Sequence, residues 1–189
     1  RAIKVALDNG YRVTTNTTVF NGVDEEDVIS MFEMVTEMGV EGAMVSPGYH
    51  FETVPNQDLF ISRQNARKVF KNILDPKRGI RFYNNPLYLE FLRGNREYQC
   101  TAWSNPTYTV MGWREPCYLL GDRHTQDVND LYSDELWERY GVGKDPRCAN
   151  CMMHCGFESA SIFSALSSPK EAIKLIKGVA VQNSGIGAG

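Results

Sequence analysis

The chain has 189 residues, a formal net charge of −3, 42% apolar and 11% aromatic residues. That balance describes a globular protein long enough to bury a core. It excludes the concentrated basic face of a nucleic-acid binder. No stretch approaches the roughly 18 apolar residues that span a bilayer. The charged, amphipathic start from Arg1 to Asp8 does not read as a signal peptide.

Ala2 to Leu7 has helical spacing and ends at Asn9-Gly10. It reads as the last turns of a helix begun upstream, so the chain is expected to be a fragment. Tyr11 to Phe20 (YRVTTNTTVF), rich in β-branched and aromatic residues, predicts a strand broken by Asn21-Gly22. Asp24 is placed to cap a helix whose apolar face is Val28, Met31, Phe32, Val35 and Met38, stopped by Gly39. Glu41 to Ser46 predicts a second strand, and an irregular loop follows from Pro47 to about Phe60. Ala66, Val69, Phe70, Ile73 and Leu74 mark a second helix. Ile80 to Tyr83 predicts a third strand, and Leu87 to Leu92 a short helix after Pro86.

This β–α–β–α–β–α order predicts a parallel sheet or barrel, in which chemistry gathers at the strand C-terminal ends. Here those ends are Asn16-Thr17-Thr18, Ser46-Pro47-Gly48-Tyr49 and Asn84-Asn85-Pro86, all polar and turn-forming. From about Gly94 the periodicity fades, and Trp, Pro, Gly and Cys become frequent. Tyr108 to Trp113 and Cys117 to Leu120 are expected to pair as a hairpin across Arg114-Glu115-Pro116. Ser133 is placed to cap a short helix holding Leu136, Trp137 and Tyr140. Ser168-Pro169 starts a last helix with Ala172, Ile173 and Ile176 on its packed side and Lys170, Lys174 and Lys177 outside. The Gly-rich end, Gln182 to Gly189, is expected to be disordered. The expected division is residues 1–93, 94–166 and 167–189.

Five cysteines are present: Cys100, Cys117, Cys148, Cys151 and Cys155. Their odd number, three within eight residues, favours metal ligation or redox chemistry over a disulfide framework. Cys148-x2-Cys151-x3-Cys155 lets several thiolates converge on one centre, with Cys117 or Cys100 as a fourth ligand, or His154 if the metal is zinc. Buried structural thiols and thiol redox are the competing readings. Asn16, Thr17 and Thr18 suit a ribose or carboxylate, or ordinary strand-edge hydrogen bonding. Ser46 to Tyr49 suits a backbone approach to a cofactor, or a plain turn. G-x-S-x-G, P-loop and H-E-x-x-H motifs are absent, which leaves hydrolase and nucleotide-triphosphatase readings without residues.

Taken in order, RVTTNTTVFNG (Arg12 to Gly22), VSPGYHFETVPNQDLF (Val45 to Phe60), FYNNPLYLEFLRGNREYQCTAWSNPT (Phe82 to Thr107), GWREPCYLLGD (Gly112 to Asp122) and YGVGKDPRCANCMMHCGFE (Tyr140 to Glu158) resemble the HpnH-type radical S-adenosylmethionine enzymes, the adenosylhopene transferases. The resemblance covers about residues 1 to 166. It implies an α/β fold in which the C-terminal β/α units of a partial TIM-like barrel precede a small irregular cysteine-rich domain. It also implies a [4Fe–4S] cluster and S-adenosylmethionine, which generate a 5′-deoxyadenosyl radical that adds to the alkene of diploptene. The superfamily's C-x3-C-x2-C cluster motif is not in this chain, and Cys148-x2-Cys151-x3-Cys155 has the reverse spacing. On the resemblance, the catalytic cluster is ligated upstream and the fragment alone is expected to be inactive.

The resemblance further places Asn16, Thr17, Thr18, Ser46, Gly48 and Tyr49 on the cofactor-binding rim, and implies that Phe51, Trp103, Tyr108 and Trp113 help line a long apolar cavity. Cys100 and Cys117 are the candidate hydrogen donors that quench the product radical. Cys148, Cys151 and Cys155 are candidate ligands of an auxiliary Fe–S or zinc site. The implied partners are a polyprenoid substrate and a reducing electron donor, in the cytoplasm or peripherally at the inner membrane. The alternatives are a radical relative acting on another lipid or small molecule, and a non-enzymatic metal-binding module.

Overall fold

In the computed structural model, which describes residues 1–51 and 53–183, the fold is mixed α/β with two small sheets. Helix α1 (Ala2–Asp8) has no buried residue. Strand β1 (Thr14–Val19) alternates, with Thr14, Asn16 and Thr18 exposed and Thr15, Thr17 and Val19 turned inward. Helix α2 (Glu25–Glu37) starts where the Asp24 carboxylate accepts the Glu26 amide, and three acidic residues in its first turn suit the helix dipole. It buries Ile29, Phe32 and Val35. Strand β2 (Gly42–Pro47) lies parallel to β1, in register from Thr14 opposite Gly42 to Val19 opposite Pro47.

The expected third strand is reduced to one parallel bridge between Ala43 and Phe82. The Ala43 amide donates to Arg81 O at 2.9 Å and the Tyr83 amide to Ala43 O at 2.8 Å. The next acceptor for β2 is a side chain: Asn84 Oδ1 takes the Val45 amide at 2.8 Å. A carboxamide thus substitutes for the backbone and ends the ladder. Gly42 is required there, because a Cβ would stand 2.9 Å from the Tyr83 nitrogen.

Helix α3 (Arg63–Ile73) is capped by Ser62 and buries Ala66, Phe70 and Ile73. Helix α4 (Pro86–Leu92) begins at Asn85, whose Oδ1 accepts from the Leu87 and Tyr88 amides at 3.1 and 3.0 Å. These helices and the β1–β2 layer enclose the main core, with Phe32, Phe70, Tyr88, Phe91 and Phe157 fully buried in it.

The second sheet is antiparallel: β3 (Tyr108–Thr109), β4 (Gly112–Glu115) and β5 (Arg123–Thr125). The expected hairpin is displaced. Its turn is Val110-Met111, held by Thr109, whose hydroxyl donates to Gly112 O and accepts the Met111 amide at 3.1 Å each. Pro116 has no N–H to extend β4, so Cys117 to Leu120 forms a turn and Arg123 to Thr125 supplies the third strand. Helix α5 (Asp134–Arg139) starts after Ser133, whose side chain makes no capping bond.

Helix α6 (His154–Leu166) buries its first turn, and α7 (Pro169–Asn183) packs on α6 and α4. The face expected to pack from α7 is right only in part: Ala172 is half-buried and Lys170, Lys174 and Lys177 are exposed as expected, but Ile173 and Ile176 are exposed too. Glu171 pairs with Arg96 at 2.7 Å and Lys174 reaches Glu90 at 3.7 Å, two ion pairs that hold α7 against α4 and the segment after it. The expectation of disorder from Gln182 falls mostly outside the described residues. No helix among the described residues is long and apolar enough to cross a membrane.

Asn85 also joins α4 to α6: its amide donates to Glu158 Oε1 at 2.7 Å, and Ser161 donates to its Oδ1 at 3.0 Å. Asn85→Ala removes the cap and the acceptor of the Ser161 hydroxyl, while the backbone amide still donates to Glu158. Urea unfolding of that variant is expected to show a loss of about 2 kcal/mol.

Candidate functional site

The five cysteines meet. All are free thiols, and all line one small apolar chamber together with Tyr49, Leu119, Leu120, Trp137 and Phe157. The chamber has a volume of about 30 Å³. Its walls come from separate parts of the chain: the β2 exit (Tyr49), the segment before residue 102 (Cys100), the turn after β4 (Cys117), the loop after α5 (Cys148), and the approach to α6 (Cys151, Cys155).

Each sulfur faces a backbone amide. Cys100 has that of Ala102, Cys117 those of Leu119 and Leu120, Cys148 that of Gly141, Cys151 that of Met153, and Cys155 that of Gly156. The Tyr118 hydroxyl also donates to Cys155. Burial nevertheless dominates. It pushes Cys100 and Cys155 up to about 12, raises Cys117 and Cys148, and lifts Cys151 well above the ordinary thiol value. Without a bound cation all five keep their protons at neutral pH.

Three anchors hold the chamber wall. Arg63, at the start of α3, lies over the rings of Phe91 and Phe157 at 5.0 and 5.2 Å, and its Nη1 donates to the Cys151 carbonyl at 3.0 Å. Fully buried Tyr88 donates its hydroxyl to Met152 O at 2.8 Å. Arg147 grips Asp122 through both terminal nitrogens, at 2.7 and 2.8 Å, and Asp145 at 2.7 Å; Tyr140 adds a 2.8 Å bond to Asp122. That clamp ties the loop of Cys148 to the turn of Cys117.

The other candidate residues are distributed differently from expectation. Asn16 and Thr18 share the exposed face of β1, while Thr17 points to the opposite face, so the three do not act as one group. Buried Ser46 is the register partner of Thr18. Gly48 faces Phe20 and Phe60, which occupy the space where its Cβ would stand, so packing already explains a glycine there. Tyr49 is buried in the chamber wall, edge-on to Phe51 at 5.0 Å. The proposed aromatic lining separates into three places. Phe51 borders a neighbouring recess of about 370 Å³ with His50, Arg114 and Tyr118; Trp103 stacks on Phe163; Tyr108 packs on Trp113 within the hairpin. His154 is not among the chamber-lining residues.

Among the described residues, no three His, Cys, Asp or Glu side chains close on one point tightly enough for a single ion. Periodicity gave no signal for Tyr49, Arg63 or Arg147, because each acts from a helix start or a loop. Tyr49 stands out only by its place at a strand end, and Arg63 and Arg147 carry no signal beyond an arginine beside a helix start or loop.

Residues 43–175, more than half of the chain, match the family described as Domain of unknown function (DUF3463). The chain belongs to that family. The matched span begins within β2 and ends in α7, so it takes in the whole cysteine chamber and leaves out Asn16, Thr17 and Thr18. No curated protein and no solved structure matches the chain.

Arg147 holds the Asp122 and Asp145 carboxyls below the ordinary value of 3.8. The stability they contribute is therefore fully present above pH 3.8 and is lost as pH falls through the lower folded values. At neutral pH, Arg147→Gln is expected to cost about 1 kcal/mol, allowing for solvent screening of a partly exposed cluster. Paired urea titrations at neutral pH and in acid are expected to show that difference shrinking in acid.

Proposed function

We propose that the chain is the C-terminal part of a radical S-adenosylmethionine enzyme that transfers a 5′-deoxyadenosyl group to a hopene such as diploptene. The observation that carries this reading is a juxtaposition. Parallel β/α units present Asn16, Thr18 and Ser46 from neighbouring strands, and Tyr49, two residues past β2, belongs to the wall of a chamber holding five protonated thiols. The ordered sequence resemblance supports the same reading. On it, β1, β2 and the Phe82 segment are late units of an incomplete barrel, and residues 94–166 are its cysteine-rich domain.

The upstream cluster and S-adenosylmethionine supply the adenosyl radical. The residues of this chain bind and quench. Asn16 and Thr18 offer hydrogen bonds to the cofactor's adenosine or methionine part. Cys100, held up to about 12, keeps its S–H at neutral pH. A carbon-centred product radical takes that hydrogen atom: a C–H bond forms, the S–H bond breaks, and the thiyl radical returns to thiol with one electron from a reductant and one proton. The water-insoluble substrate fits a cytoplasmic enzyme touching the inner membrane, with the exposed Ile162, Leu166, Ile173 and Ile176 of α6 and α7 available for that contact.

The test uses a longer protein carrying this chain behind a C-x3-C-x2-C motif, reconstituted anaerobically with S-adenosylmethionine and diploptene. Adenosylhopane is expected by mass spectrometry. Release of 5′-deoxyadenosine with no adduct would defeat the substrate assignment and leave the radical class standing. In that protein, Cys100→Ala is expected to lower adduct yield about tenfold, ~1.4 kcal/mol in barrier, while 5′-deoxyadenosine still forms.

A further inference from the structure

We propose that Cys117, Cys148, Cys151 and Cys155 hold a [4Fe–4S] cluster in the chamber beside Tyr49. The proposal stands apart from the radical reading, since it concerns only what these four thiols bind. Four sulfurs are what such a cluster needs, each bonded to a different iron. Ligands on separate irons stand further apart than ligands around one ion. Five thiols lining one small apolar chamber supply enough sulfur donors for such a cluster.

The five sulfurs line one chamber wall, and Cys117 brings to it the turn that follows β4. Cys117 receives two amides, from Leu119 and Leu120. Amides aimed at sulfur stabilise thiolate ligands and tune a cluster, and every one of the four has at least one. No cationic or carboxylate side chain lines the chamber, so nothing there competes for the irons or the sulfurs.

Five thiols and four irons leave one thiol over, taken to be Cys100, the one that packs against the main core alone; Cys148 belongs to neither apolar cluster. The Cys100 sulfur rests on the Gly156 backbone, where a Cβ would overlap it. Cys117 and Cys155 instead belong with Tyr49 and Leu119 in the second cluster, and Cys151 touches both. The present volume of about 30 Å³ suits a chamber closed on thiols.

The experiment is anaerobic reconstitution of this chain with ferrous iron and sulfide, followed by iron and sulfide counting and absorption spectroscopy. About four irons and four sulfides per chain are expected, with sulfide-to-iron charge-transfer absorption. Alanine at Cys117, Cys148, Cys151 or Cys155 is expected to cut bound iron by more than half, and Cys100→Ala to leave it unchanged. Circular dichroism checks that each variant is folded, and serine variants replace any alanine variant that is not. Fewer than about one iron per wild-type chain, or one zinc bound without sulfide, overturns the proposal. Equal iron loss in Cys100→Ala overturns the choice of ligands.

Discussion

The placement of Arg63 is the constraint on which the chamber depends. Its guanidinium lies over Phe91 of α4 and Phe157 of α6 and donates to the carbonyl of Cys151. It also pairs with Glu97 at 3.1 Å, while its own amide donates to Asn150 Oδ1 at 3.0 Å. One residue thus joins the β/α layer, the core aromatics and the cysteine loop. A planar cation does this well because it stacks on rings while its edge stays free to donate. A lysine at this position would keep the charge and lose both the stacking plane and the fork of donors.

Around that anchor the chamber is built from irregular chain. Turns and loops pack poorly by periodic burial alone, so polar bonds fix them instead. Tyr88 holds Met152, Tyr118 reaches Cys155, and the Arg147 clamp joins two loops that are distant in sequence. Such bonds are directional. They set where each sulfur points more tightly than apolar contact would, which is what a site with several ligands requires.

The regular elements were legible in the sequence. Asp24 and Gly39 bounded α2, and the Glu41 to Ser46 run became β2, because local chemistry decides caps and short apolar runs. Two failures have tertiary causes. The third strand ended early because Asn84 supplied a side-chain acceptor, and α7 left Ile173 and Ile176 exposed while Glu171 and Lys174 paired with Arg96 and Glu90. Spacing drew attention to Cys148, Cys151 and Cys155. It offered Cys117 or Cys100 only as alternative fourth ligands; the fold brings both to the same wall. The rim trio was over-read: alternation along β1 sends Thr17 away from Asn16 and Thr18.

Gly156 carries a consequence for how this family can vary. The Cys100 sulfur occupies the volume a methyl group at position 156 would need. The two positions therefore exclude each other's bulk. A larger residue at 156 would force the Cys100 sulfur out of its present place. Residues 56 apart in sequence, in the segment before residue 102 and the first turn of α6, thus share one volume.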